Sequence, residues 1–113
     1  MEINDDDKTI LNLMNKNIYG LLNIKIFLND YDNLKAVNIQ SNRVKNIIGL
    51  PEQIKLFNCC DNLIVSLDNL PPELEILECE ENKIKMLRNL PMGLKFLHCG
   101  QNQLAELDYL PET

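Results

Sequence analysis

The chain has 113 residues, 45% of them apolar and 25% charged, with a formal net charge of −6. That is enough for one domain with a modest core, and the acidic balance disfavours a phosphate-binding surface, which needs a basic face. No apolar run approaches the roughly 18 residues of a membrane span, and the acidic opening "MEINDDDK" is the reverse of a secretory leader. The expectation is a soluble, intracellular protein that binds neither nucleic acid nor membrane. Residues 1–7 are expected to be disordered. Residues 8–33 read as an N-terminal cap made of a helix and then a strand. Ile10, Leu13, Met14, Ile18 and Leu21 fit helical spacing after a capping Asp7, and Ile24, Ile26 and Leu28 alternate like a strand. The rival reading of 8–33 is a degenerate copy of the repeat units downstream, with Ile24 and Phe27 in register with Val44 and Ile47.

From residue 30 the chain repeats every 20 residues. The units are 30–49, 50–69 "LPEQIKLFNCCDNLIVSLDN", 70–89 "LPPELEILECEENKIKMLRN" and 90–109 "LPMGLKFLHCGQNQLAELDY". The first lacks the Leu-Pro opening, and a fifth begins at Leu110–Pro111, where the sequence stops without a cap. Cys59, Cys79 and Cys99 fall at one repeat position, so the repeat has placed them and not a disulfide framework. With no CxxC or His-rich spacing, neither a metal site nor a cofactor is expected, and the thiols should be reduced.

Asn42, Asn62, Asn82 and Asn102 interrupt otherwise apolar runs at the same interval. Each unit supplies one short strand, near 36–40, 56–60, 76–80 and 96–100, and successive strands pair in parallel about 4.8 Å apart. After each strand the chain turns inward, leaving backbone groups away from water. An Asn amide both donates and accepts, so stacked Asn side chains satisfy the turns as a structural ladder. Other inward columns are Val44/Ile64/Ile84/Leu104, Ile47/Leu67/Leu87/Leu107 and Leu50/Leu70/Leu90/Leu110. Pro51, Pro71, Pro91 and Pro111 fix the backbone of a return segment too short for a helix, so the convex side should be irregular or extended.

The pattern LxxLxLxxN, read at Leu74, Leu77, Cys79 and Asn82 and at Leu94, Leu97, Cys99 and Asn102, resembles the leucine-rich repeat. Ile54, Phe57, Cys59 and Asn62, and Leu34, Val37, Ile39 and Asn42, match it too. The resemblance covers residues 34–111. The 20-residue Leu-Pro unit is similar to the LPX subclass of bacterial effectors and giant DNA virus proteins, the latter more closely through its Cys and its Asn/Ile/Lys-rich composition. The resemblance implies a leucine-rich-repeat solenoid over 34–113, with a curved concave sheet of short parallel strands. It also implies a protein partner on the concave face.

Catalysis is not expected. His98, the single His, stands at an outward strand position, and Cys99 points inward. Cys60 points outward and is the best candidate for a reactive thiol. Glu78, Glu80 and Glu81 cluster on one strand, with no second carboxylate environment across a cleft. The candidate partner-binding residues are Leu56, Ile76 and Phe96 in an apolar column that begins at Ala36, with Asn58, Glu78, His98 and Glu80 beside it. Three functions compete: a non-catalytic interaction module, a structural component of a larger particle such as a virion, and a repeat fragment of a larger effector. The second would be held, or would self-associate, through the uncapped C-terminal end. The third would have its catalytic domain outside this sequence. Host cytoplasm or virion is the matching location.

Overall fold

The computed structural model describes residues 8–31, 33–104 and 106–107, with the backbone alone for Asp30, Glu106 and Leu107. The expected disorder of 1–7 and the fifth unit at 110–113 lie outside those residues. Five three-residue strands form one parallel sheet in the order β1 (Ile10–Asn12), β3 (Ala36–Asn38), β5 (Leu56–Asn58), β6 (Ile76–Glu78) and β8 (Phe96–His98). From β3 onward each strand pairs with its neighbour at an offset of one unit, Ala36 with Leu56, Ile76 with Phe96. Alternate residues therefore share a face along the whole sheet. Val37, Phe57 and Leu77 are buried beneath it, as are Ile39, Cys59 and Cys79.

The ladder couples each unit to the one before it. Asn82 Nδ2 donates to Cys79 O (3.2 Å) and Glu80 O (3.2 Å) in its own turn and to Cys59 O (2.9 Å) one unit back. Its Oδ1 accepts from Ile64 N–H at 3.0 Å. Asn62 and Asn102 repeat the arrangement, and Asn42 accepts from both Lys16 N–H and Ile18 N–H. Among the described residues no buried side-chain polar atom lacks a partner. The residue before each ladder Asn is left-handed: Ser41, Asp61, Glu81 and Gln101 have φ between 54 and 59°. That conformation costs an L-residue roughly 1–2 kcal/mol, and it aims the following Asn into the core.

The return side is extended, as the short unit requires. Pro51, Pro71 and Pro91 open tight turns whose carbonyls accept from Ile54, Leu74 and Leu94 N–H (3.1–3.4 Å). The segments after the ladder form a second set of parallel pairs. They are β2 (Tyr19–Asn23) with β4 (Arg43–Ile48), β7 (Met86–Leu87) with β9 (Glu106–Leu107), and a bridge from Ser66 to Met86.

The N-terminal cap differs from the expected helix and strand. Residues 10–12 are β1, whose Leu11 is buried like Val37, and 19–23 are β2. Residues Ile24–Asp30, expected as a strand, form a 3₁₀ helix, η1, capped by Asn23, whose Oδ1 accepts from Lys25 N–H. The rival reading, a degenerate repeat, agrees with the strand pairing but not in its register, since Gly20 and Leu22, not Ile24 and Phe27, pair with Val44 and Ile47. The segment is a repeat lengthened to 26 residues by η1, because Ile10 pairs with Ala36. Helical spacing misled because a strand, a turn and a second strand happened to place apolar residues three and four apart.

Candidate partner-binding face

Outward positions of the concave sheet fall in three columns. The first is Ile10, Ala36, Leu56, Ile76 and Phe96, apolar from end to end. Ile10, Ala36, Leu56 and Ile76 are half-buried, whereas Phe96 is 57% exposed. Ile10 was not legible as a member, since its unit is six residues too long for the period. The signal that could have found it is the likeness of "ILNLMN" at 10–15 to "AVNIQS" at 36–41, with Asn12 matching Asn38.

The second column is Asn12, Asn38, Asn58, Glu78 and His98. Here the strand separates residues that the sequence had grouped together. Asn12, Asn38 and Asn58 each accept from the N–H two residues on, at Met14, Gln40 and Cys60 (2.9–3.0 Å). Asn58 also donates to Gln40 Oε1 at 3.1 Å. Its amide is therefore engaged in the turn, leaving Glu78 and His98 as the column's uncommitted side chains. Glu78 is half-buried and His98 exposed, in register on neighbouring strands. Glu80, in the third column with Gln40, Cys60 and Gly100, is half-buried.

A charged stripe borders the apolar column on its other side. Lys55 pairs with Glu73 (3.0 Å) and Glu75 (3.8 Å), and Lys95 with Glu75 (3.5 Å). These exposed pairs add little stability. Their effect is to leave this border nearly neutral, while Glu78, Glu80 and Glu81 make the opposite border acidic.

The cysteines follow the strand register, with one departure. Burial, followed by neighbouring Cys79 and Cys60, pushes the Cys59 thiol well above its ordinary range, and burial first of all takes Cys79 up to about 12. Cys60 is half-exposed; burial, then the carboxylates of Glu78, Glu80 and Glu81, raise its thiol too, against a lowering by the Glu80 backbone. That makes it a poor nucleophile despite its accessibility. Cys99, expected to be shielded, is half-buried, its thiol raised by burial and then by Glu80. Among the described residues no group of three His, Cys, Asp or Glu side chains could hold a metal ion, and no helix is long and apolar enough to cross a membrane.

No protein-family profile matches the chain, and no curated protein matches it. Among solved structures it is similar to YopM from Yersinia enterocolitica, at 28% identity and a TM-score of 0.68 over 72% of this chain. The likeness spans only 18% of YopM. Together with the in-register strands and the Asn ladder, it establishes the architecture as a short leucine-rich-repeat solenoid.

Proposed function

We propose that this chain is a non-catalytic protein-interaction module that takes its partner on the concave face, centred on Phe96, Ile76 and His98. The observation that carries this reading is the unbroken apolar column from Ile10 to Phe96 on a solvent-facing sheet. Outward strand positions in a sheet with no partner are normally polar. A continuous apolar stripe bordered by charge is what a protein interface core with a polar rim requires. Glu78 and Glu80 select a partner with Lys or Arg at that rim, and association should weaken with salt. The likeness to YopM supports a binding role over an enzymatic one. So does the setting of His98, exposed and in register with Glu78 on the neighbouring strand, where a partner could reach both.

The Leu-Pro openings, with Cys59, Cys79 and Cys99, support placing the units in the short LPX subclass, on the giant-virus side. The unpaired cysteines favour a reducing, intracellular setting.

A photo-crosslinking residue at position 76 or 96 tests the site. The reading expects one captured protein at both positions and none from position 92, since Met92 lies off the concave strands in the turn before Leu94. Equal capture from all three positions would remove the concave face as the site.

A further inference from the structure

The flank that follows the Asn ladder carries charge opposite in sign to the chain as a whole. Val44, Ile64 and Ile84 point into the core, so the residues on either side of each point outward. Those are Arg43 and Lys45, Leu63 and Val65, and Lys83 and Lys85. Backbone bonds stack them in register, Leu63 N–H to Val44 O and Lys83 N–H to Ile64 O, both at 2.9 Å. From the spacing of strands and the rise per residue, the four cations mark a rectangle of about 10 by 7 Å. Half-buried Leu63 and half-exposed Val65 occupy its centre.

No Asp or Glu occurs at positions 43–46, 63–66 or 83–86. Asp61 and Glu81 border the rectangle at the turn, where Asp61 is engaged by Ser41 Oγ at 3.0 Å, and Glu106 stands on the next strand in register with Met86. Every ion pair among the described residues uses Lys55 or Lys95, so none of these four cations is paired among them. At one end lies a groove of about 670 Å³, lined by Tyr19, Gly20, Arg43, Lys45 and Leu63. The register of β2 against β4 shifts beside Gly20, and Tyr19 is 79% exposed there.

We propose that this flank is a second interaction surface, for an acidic segment of another protein. Its carboxylates would meet Arg43, Lys45, Lys83 and Lys85, and an apolar side chain between them would lie on Leu63 and Val65. The aliphatic centre decides the class of partner. A nucleic-acid strand gains affinity from aromatic platforms under successive bases, and among the described residues of this flank the one aromatic ring, Tyr19, stands at one end. An acidic peptide with a central Leu or Ile satisfies both the charges and the centre. At physiological salt the Debye length is about 8 Å, so these local cations outweigh the net negative charge of the rest of the chain.

The test uses a synthetic peptide with two leucines flanked on each side by Asp and Glu, titrated onto the full chain by fluorescence anisotropy. Saturable binding is expected, weakening as salt is raised. The double substitution K83E/K85E should weaken it about tenfold or more, and replacing the two leucines with serine should do the same. Phe96→Ala should leave it unchanged, which separates this surface from the concave face. R43Q/K45Q provides an independent pair should K83E/K85E lower the melting temperature. Absence of binding, equal affinity for the serine peptide, equal or tighter binding of oligothymidylate, or indifference to both charge variants would each overturn the proposal.

Discussion

Replacing Asn82 with Ala removes four hydrogen bonds, but the consequences for the backbone are unequal. Cys59 O keeps a donor in Asn62 Nδ2, Cys79 O keeps Asn102 Nδ2, and Glu80 O keeps Asp61 N–H. Ile64 N–H alone is orphaned, and Ile64 is fully buried. One stranded buried donor costs about 1–3 kcal/mol, and the lost half-share of three carbonyls pushes the total toward the upper part of that range. At about 4 °C per kcal/mol for a chain of this size, Asn82→Ala should lower the melting temperature by about 10 °C. Asn102→Ala strands Ile84 N–H and Cys99 O, but Asn102 and Cys99 are half-exposed and water can reach them. It should cost about half as much. Thermal and urea unfolding followed by circular dichroism measure both. A shift below about 2 °C for Asn82, or equal shifts for the two, would refute the ladder energetics.

Gly49 has φ +83°, and a Cβ there would stand 2.5 Å from Asn23 Oδ1 and 3.0 Å from Lys25 N at the start of η1. Gly49→Ala should therefore destabilise by about 2–4 kcal/mol. Gly49→Asn should do no better, although Asn holds the same place at Asn69 and Asn89 with φ 58 and 55°; a neutral Gly49→Asn in an unfolding titration would mean that left-handed strain alone matters. Maleimide at neutral pH should modify Cys60 and Cys99 slowly, and Cys59 and Cys79 only on unfolding; mass spectrometry of native digests would expose a wrong register through rapid labelling of all four. Cys79 rises from an ordinary 9.0 to about 12 in the fold. The unfolded chain thus loses this proton first, and stability present below pH 9 is lost progressively between pH 9 and 12. In melting curves across that range, Cys79→Val should flatten the fall while changing little at pH 7; an unchanged slope would contradict the burial of that thiol.

How much could be read beforehand depends on the reach of the period. Wherever the 20-residue unit holds, strand position, inward columns and the Asn ladder were legible, because a fixed offset puts like residues in register. The first unit was not, because η1 adds six residues and its apolar spacing mimics a helix. The left-handed residues were half legible. Gly49, Asn69 and Asn89 are types that favour that region, whereas Glu81 and Gln101 are not, and only the ladder's demand holds them there. At the candidate site, the apolar column was visible from alternation. That Asn58 is engaged by Cys60 N–H and Gln40 was not, because a side chain that caps a turn and one that awaits a partner have the same letter.

Paired measurement of partner affinity and melting temperature on Phe96→Ala tests the concave-face account most directly. Phe96 is the most exposed member of the apolar column, and an aromatic anchor at an interface centre is worth about 2 kcal/mol or more. The account predicts affinity about 30-fold weaker with a melting temperature within about 2 °C of the unsubstituted protein. A large loss of melting temperature would show that the column is core, and unchanged affinity with an unchanged fold would place the partner off the concave face.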